Sequence, residues 1–208
     1  MKKTLFITLI IALSMTACSK SGGSSASGGS SASASGSGGG QEERLTGKTD
    51  SFTFRLMDDG TYSVSAGTAA KGTVNIPASY RPDTKSDYLP VTNIGIQGFR
   101  ESGIINVTIP NSVTSIDTAA FSGCTSLASI TLPAGVTVIG SAAFAGCTNI
   151  TAITIPAGVT YVGQTAFGGW TAGQTINIQG KANREAAIAA GWEENWGYDC
   201  KATINYGQ

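Results

Sequence analysis

The sequence predicts a β-rich solenoid, a short right-handed coil capped by a β-hairpin at its N-terminal end and by a helix and strand at its C-terminal end. Three observations carry this reading. First, one pattern recurs: Val113-Thr-Ser-Ile116 leads to Phe121-Ser-Gly-Cys124, Val136-Thr-Val-Ile139 to Phe144-Ala-Gly-Cys147, and Val159-Thr-Tyr-Val162 to Phe167-Gly-Gly-Trp170. A weaker copy, Val91-Thr-Asn-Ile94 to Phe99, comes before them. Second, Pro110, Pro133 and Pro156 recur at 23 residues, as do Phe121, Phe144 and Phe167. Third, each unit alternates apolar and polar residues before its proline. Self-similarity at a fixed period means that a unit buries its apolar side only against its neighbours, and parallel crossovers are right-handed.

The first forty residues lie apart from the coil, so the 208-residue chain is read as one folded domain. Lys2-Lys3, the apolar run Leu5 to Leu13 and the small-residue exit Ser14-Met-Thr-Ala-Cys18 form an export signal over residues 1–17. The apolar run is shorter than the about 20 residues needed to span a bilayer. Its ending resembles a bacterial lipobox, with Met15 where leucine is usual, and the resemblance implies lipidation of Cys18. Residues 18–40 continue from that cysteine into a tract of Ser, Gly and Ala, which cannot bury enough apolar surface to offset its ordering entropy. Such a tether reaches about 25 Å. Several acyl chains would anchor it stably to a membrane, and Ser19 after the cysteine resembles outer-membrane lipoproteins.

Residues 41–90 read as an N-terminal cap and a divergent first repeat. Ser51-Phe-Thr-Phe-Arg-Leu56 and Thr61-Tyr-Ser-Val-Ser65 alternate around Asp58-Asp59-Gly60, which predicts a hairpin with Gly60 at positive φ. The acidic pair lacks the ligand series of a calcium loop. Pro77 stands 22 residues before Phe99, where later prolines stand 11 before theirs. The extra residues, around Arg81 to Asp87, predict an exposed loop.

Within residues 91–178, Leu127, Ile130 and Leu132 resemble the leucine-rich-repeat core Leu-x-x-Leu-x-Leu, with Ile130 and Leu132 inward and Ser129 and Thr131 outward. Val107 with Ile109, Ile153 with Ile155, and Ile176 with Ile178 are predicted inward likewise. Each proline ends its strand. A second extended segment follows, with Val136 and Ile139 inward, and Ser141-Ala-Ala-Phe144 closes the coil. The four phenylalanines are predicted to stack at about 4.8 Å, the strand spacing. Val-Thr-x-Ile-Gly, Ala-Phe-x-Gly-Cys-Thr-x-Leu and Ile-Thr-Ile/Leu-Pro at this interval resemble BspA-type leucine-rich repeats over about Phe52 to Gln208. That family comprises bacterial surface and secreted repeat proteins, several of them adhesins, so the resemblance implies a binding role and no catalytic residues.

Residues 179–208 form the C-terminal cap. Ala182 to Ala190 predicts a helix ended by Gly191, and Lys201 to Tyr206 alternates as a strand. Trp192, Trp196 and Tyr198 are expected to cover the open core.

The chemistry-bearing residues are sparse. Histidine is absent, which removes the commonest general base and metal ligand. Cys124 and Cys147 occupy equivalent places in adjacent coils. Stacking allows a disulfide by distance and export supplies oxidising conditions, yet parallel Cβ vectors favour free core thiols. No zinc-type cysteine spacing, phosphate loop or nucleophile with a base is present. The chain is therefore read as non-enzymatic and without cofactor or metal. Formal charge is zero, and about −2 without Lys2 and Lys3, which argues against nucleic acid as a partner. Between Ser102 and Gly180 only Asp117 is charged. Such a wall is either a contact surface or one kept soluble by Thr, Ser and Asn.

The expected function is a surface lipoprotein whose solenoid binds a protein, either a host matrix or plasma protein or a component of other cells. The alternatives are an envelope-facing structural module and a carbohydrate-binding solenoid. Candidate binding positions are those where the copies differ, Asn93, Ser115, Val138 and Tyr161, together with the outward column Thr108, Thr131 and Thr154. Val138 and Tyr161 are neighbouring outward apolar positions, which suggests a contact. The threonines are also explained by β-propensity.

Overall fold

A computed structural model describes residues 51–67 and 70–208. The export signal, Cys18 and the tether lie outside the described residues. Phe52–Leu56 (β1) and Tyr62–Ala66 (β2) pair antiparallel. Between them Gly60 takes φ +80°, and Asp59 accepts from the Thr61 amide and hydroxyl. The hairpin expected from the alternating pattern is present, and these hydrogen bonds hold its turn.

From β2 onward the chain winds. Lys71–Asn75 (β3), Ser79–Tyr80 (β4), Leu89–Ile94 (β5), Gly103–Thr108 (β6), Ser115–Ile116 (β7), Ser129–Ile130 (β8), Val138–Ile139 (β9), Ala152–Ile155 (β10), Tyr161–Val162 (β11) and Thr175–Ile178 (β12) alternate between two walls. The first wall runs β1-β2-β5-β7-β9-β11, with β4 paired to β5. The second wall consists of two ladders, β3-β6-β8 and β10-β12-β13, where β13 is Thr203–Tyr206. Four of the repeat strands, β7, β8, β9 and β11, are only two residues long. β8 is followed by Pro133, β9 by Gly140 and β11 by Gly163, which end their extended runs, while Asp117 follows β7. Coils also precede and follow the four visible copies: β2 with β3 comes before them and β13 after, built from sequence with little repeat signature.

The third side of each coil is the turn that carries the phenylalanine. Its residues donate forward to the next turn: Gln97 to Thr118, Phe99 to Ala120 and Glu101 to Ser122, then Ala119 to Ser141, Phe121 to Ala143 and Gly123 to Ala145. Ala142, Phe144 and Gly146 repeat the set on Gln164, Ala166 and Gly168, all at 2.7–2.9 Å. To aim three amides along the axis, the backbone goes left-handed on both sides of the ring. Gln97, Ala119, Ala142 and Thr165 have φ of 50–54° before it, and Glu101, Gly123, Gly146 and Gly169 have φ of 54–77° after it. A non-glycine residue there costs on the order of 1 kcal/mol, and the forward hydrogen bonds offset that cost.

Inside, all the positions predicted inward are buried: Val107, Ile109, Ile130, Leu132, Ile153, Ile155, Ile176, Ile178, Val136 and Ile139. The rings of Phe99, Phe121, Phe144 and Phe167 stack with centroids 5.3, 5.6 and 5.7 Å apart and planes within 17°. This is somewhat wider than the strand spacing, because offset rings exceed the backbone rise. Edge-on rings close both ends of the column, Phe52 on Phe99 at 6.3 Å, and Trp170 and Trp196 on Phe167 at 5.2 and 6.1 Å.

The insertion after Pro77 departs from a simple bulge. β4 returns along β5, Tyr80 stacks on Phe54 at 3.9 Å, and Arg81 lies 4.5 Å from the Tyr88 ring centroid. Only its tip, residues 82–85 and Asp87, is exposed. At the far end Arg184–Ala189 (α1) is shorter than expected and starts at Asn183, whose side chain accepts from Ala186 N. β13 pairs parallel with β12 as expected. Trp192 and Trp196 cover the core, but Tyr198 is 69% exposed and does not.

The ring stack makes one substitution diagnostic. Phe144→Ala removes contacts to the rings above and below, so it should lower stability by about 3–5 kcal/mol. The urea midpoint reads this, and an unchanged midpoint would contradict the packing.

Candidate functional site

Asn93, Ser115, Val138 and Tyr161 stand in register across β5, β7, β9 and β11, one beside the next. The column changes character along its length. At the polar end Ser115 Oγ donates to Asp117 Oδ1 at 2.6 Å, and Asn93 Nδ2 reaches the same oxygen at 3.5 Å. Thr92 Oγ1 donates to Asn93 Oδ1 at 2.9 Å and lies 2.7 Å from Thr61 Oγ1. Asn93 and Ser115 therefore have their hydrogen bonds within the wall, gathered by a single carboxylate.

Asp117 holds that place through a change in the repeat. Gly95, Gly140 and Gly163 occupy the equivalent position in the other coils. A Cβ at Gly140 would lie 2.5 Å from Thr118 N, and one at Gly163 would lie 2.5 Å from Ser141 N, so those coils admit no side chain. Asp117 is where the glycine column is interrupted, beside strands β5, β7, β9 and β11 that carry no charged residue.

At the apolar end Val138 and Tyr161 are half-buried and line a shallow hollow of about 260 Å³ with Ile96, Asp117, Thr118 and Ser141. Ile96 is 69% exposed. Tyr161 donates its hydroxyl to Glu193 Oε1 at 3.2 Å, and desolvation together with the Glu193 carboxylate pushes its phenol pKa up, so it stays protonated. Sequence reasoning named Val138 and Tyr161 but not Ile96, Ser141 or Glu193. Ile96 stands where the later copies have Thr118, Ser141 and Gln164, an apolar departure that aligning the weakest copy would have exposed, and Glu193 arrives from the cap.

The threonine columns part ways. Thr114, Thr137 and Thr160 turn their hydroxyls back to the carbonyls of Thr92, Thr114 and Thr137 at 3.5, 3.3 and 3.3 Å. Thr108, Thr131 and Thr154 are exposed on the second wall. Thr131 and Thr154 line a cleft of about 450 Å³ with Ser129, Ala152 and Gln179, where β8 and β10 share no ladder. Ala128 N donates to Ile105 O and Thr175 N to Thr151 O, both at 2.9 Å, whereas the intervening Thr151 N–H has no backbone partner.

Cys124 and Cys147 are buried and unbonded. Cys124 Sγ donates to Phe99 O at 2.9 Å and Cys147 Sγ to Phe121 O at 3.0 Å. In the next coil Trp170 Nε1 donates to Phe144 O at 2.9 Å. Cysteine and tryptophan thus interchange because both satisfy the preceding phenylalanine carbonyl from inside the core. Burial raises the Cys124 thiol and pushes that of Cys147 up to about 12. Among the described residues, no group of three or more His, Cys, Asp or Glu could hold a metal, and no helix is long and apolar enough to cross a membrane.

The coil geometry and the repeat agree with one family. Residues 91–186 match the BspA type Leucine rich repeat region in 6 copies. The repeat region belongs to the BspA-type leucine-rich repeat family. Among solved structures, a leucine-rich repeat protein from Bacteroides capillosus is 27% identical over 78% of this chain and 99% of its own, with a TM-score of 0.54. The T. pallidum leucine-rich repeat protein is 25% identical over 65% of each chain, with a TM-score of 0.52. A leucine-rich cell surface protein from Faecalibacterium prausnitzii is 25% identical, covers 65% of this chain and 45% of its own, and has a TM-score of 0.51. No curated protein shows significant similarity to the chain. BspA-type solenoids are generally non-enzymatic scaffolds for protein interaction, typically on the cell surface or secreted.

In this BspA-type core the thiols should be inert. At pH 8 in the native protein Cys147 should resist iodoacetamide and react once urea unfolds the chain, as read by mass. The raised folded pKa contributes stability below the ordinary value of 9.0, and this is lost as pH climbs towards about 12.

Proposed function

We propose that this BspA-type protein is exported, anchored to the outer membrane through acylated Cys18, and held off the surface by the tether of residues 18–40. Its solenoid then binds a protein partner outside the cell, either a host matrix or plasma protein or a component of another cell. The hollow on the first wall carries this reading. Val138, Tyr161 and Ile96 offer apolar surface beside the carboxylate of Asp117, along strands β5, β7, β9 and β11 that carry no charge of their own. Apolar patches ringed by polar groups mark protein contacts, and aromatic residues dominate the energetics of such contacts. The description of the Faecalibacterium relative as a cell surface protein supports the location.

In this reading Asn93 and Ser115 form the polar rim, and Thr108, Thr131 and Thr154 face a second, separate surface. The β1–β2 hairpin and residues 179–208 cover the two ends of the coil.

Replacing Val138 and Tyr161 together by Ser should reduce capture of host matrix or plasma proteins by soluble residues 41–208 at least tenfold, or about 1.4 kcal/mol. The urea midpoint should move little. Unchanged capture would remove the hollow from the interface. Separately, radiolabelled palmitate should enter the wild-type protein in a bacterial host and be absent from Cys18→Ala. An unlabelled wild type would overturn the anchor.

A further inference from the structure

The last strand of the second wall ends on an unused edge. Elsewhere at this end the cap takes up the free edge. Glu193 N donates to Val162 O of β11, and Thr165 and Gly169 donate to Asn195 O and Asp199 O at the turn. β13 itself pairs with β12 on one side only. Thr203 N donates to Gln174 O, so in this parallel ladder residues 203 and 205 turn their amides to β12. Ile204 and Tyr206 turn theirs the other way, and among the described residues no backbone group pairs with them there.

The apolar side chains at this edge are left uncovered as well. Ile204 and Tyr206 stand in register with Ile176 and Ile178, which themselves stand beside Ile153 and Ile155. Those four are buried, whereas Ile204 and Tyr206 are only half-buried, because no strand covers their outer side. They line a groove of about 240 Å³ with Trp196 and the exposed Tyr198. Edge strands are usually guarded by charge, proline or a bulge. The opposite edge of this wall has that guard, since β3 carries Lys71 and its register shifts between Gly72 and Thr73. The β13 sequence Thr-Ile-Asn-Tyr has no charge and no proline, and its register is unbroken.

A second β13 fits this edge. Turned antiparallel about a two-fold axis at Asn205, it sets Ile204 opposite the second copy's Tyr206, and Tyr206 opposite the second copy's Ile204. Both positions face the edge with N–H and C=O, so each opposed pair exchanges both of its hydrogen bonds. The same register lays isoleucine against tyrosine on the inward face, where cross-strand apolar pairs stabilise a sheet. From Ala202 to Gln208 the chain brings no charge to the seam, so no like charges meet across it. A two-fold contact requires a self-complementary patch, and this edge is one. We propose that two copies of the chain join end to end through β13, continuing the second wall across a two-fold axis at Asn205. The contact makes no use of the first-wall hollow and is independent of what that hollow binds.

Sedimentation equilibrium of the full-length chain in density-matched detergent tests the pairing. The protein mass should rise from one chain towards two as concentration is raised to about 100 µM, which populates a contact with a Kd of about 10 µM. Ile204→Pro removes an edge-facing amide and spares the β12 ladder, so it should weaken pairing at least about tenfold. Its urea midpoint, read on dilute protein, should stay near that of wild type. A second variant reads the register in a chain carrying Cys18→Ser and Cys200→Ser, where Cys124 and Cys147 stay buried. Asn205→Cys places two thiols at a non-hydrogen-bonded pair with Cα atoms about 4.5 Å apart, within disulfide reach. Mild oxidation should give a covalent dimer that reduction dissolves. Thr203→Cys should give none, because its two copies lie about 13 Å apart along the strands. A mass that stays at one chain throughout overturns the proposal and leaves the edge to a strand of another protein. Pairing that Ile204→Pro leaves unchanged also overturns it, as does a covalent dimer formed equally by Thr203→Cys and Asn205→Cys.

Discussion

The structure depends on carrying backbone hydrogen bonds from coil to coil at the closing turns. A closing turn satisfies alternate amides within itself, as Gly98, Arg100 and Ser102 do on Gly95, Gln97 and Phe99, and the amides between them must find a carbonyl in a neighbour. Here three amides of each of the Phe99, Phe121 and Phe144 turns point along the axis to the next turn. The left-handed residues on both sides of the ring are the means, with alanine or glycine at most of those places and Gln97 and Glu101 in the first turn. At the last coil the ladder continues onto the cap, where Thr165 donates to Asn195 O and Gly169 to Asp199 O. The cap is therefore joined through the same ladder and is not merely laid over the end.

The interior follows from that frame. Once the turns are in register, one position per coil points a ring at its neighbours, and the next interior position meets a free carbonyl. Phenylalanine fills the first. Ser102, Cys124, Cys147 and Trp170 take the second, and the last three donate to the phenylalanine carbonyl of the coil before. The same rule explains the cap. Trp170 and Trp196 both turn their rings edge-on to Phe167, ending a stack that would otherwise present a bare aromatic face to water.

The walls are freer. Their outward residues answer only to strand geometry and solubility, which is why the copies differ there. The interruption of the glycine column at Asp117 gathers Asn93 and Ser115 into one network and leaves Val138 and Tyr161 as the apolar remainder. The second wall shows the opposite device. Its ladder lapses between β8 and β10 although the first wall stays paired there, so adjacent coils can part on one side while held on the other.

The sequence by itself determined the solenoid, the inward set, the phenylalanine column and the sites of the hairpin and terminal strand. Each depends on periodic burial, and periodicity is visible in a linear chain. Asp117 was visible too, as a lone charge, but its partners were not. Only the tertiary structure decided that Ile96 and Ser141 border Val138 and Tyr161, that Glu193 reaches Tyr161, and that Tyr198 faces solvent. Ile96 reaches Val138 from two coils away, and Glu193 and Tyr198 belong to the cap, where no repeat sets the spacing. A repeating interaction leaves its period in the sequence. A contact made once leaves none, and the first-wall hollow and the C-terminal cap are contacts of that kind.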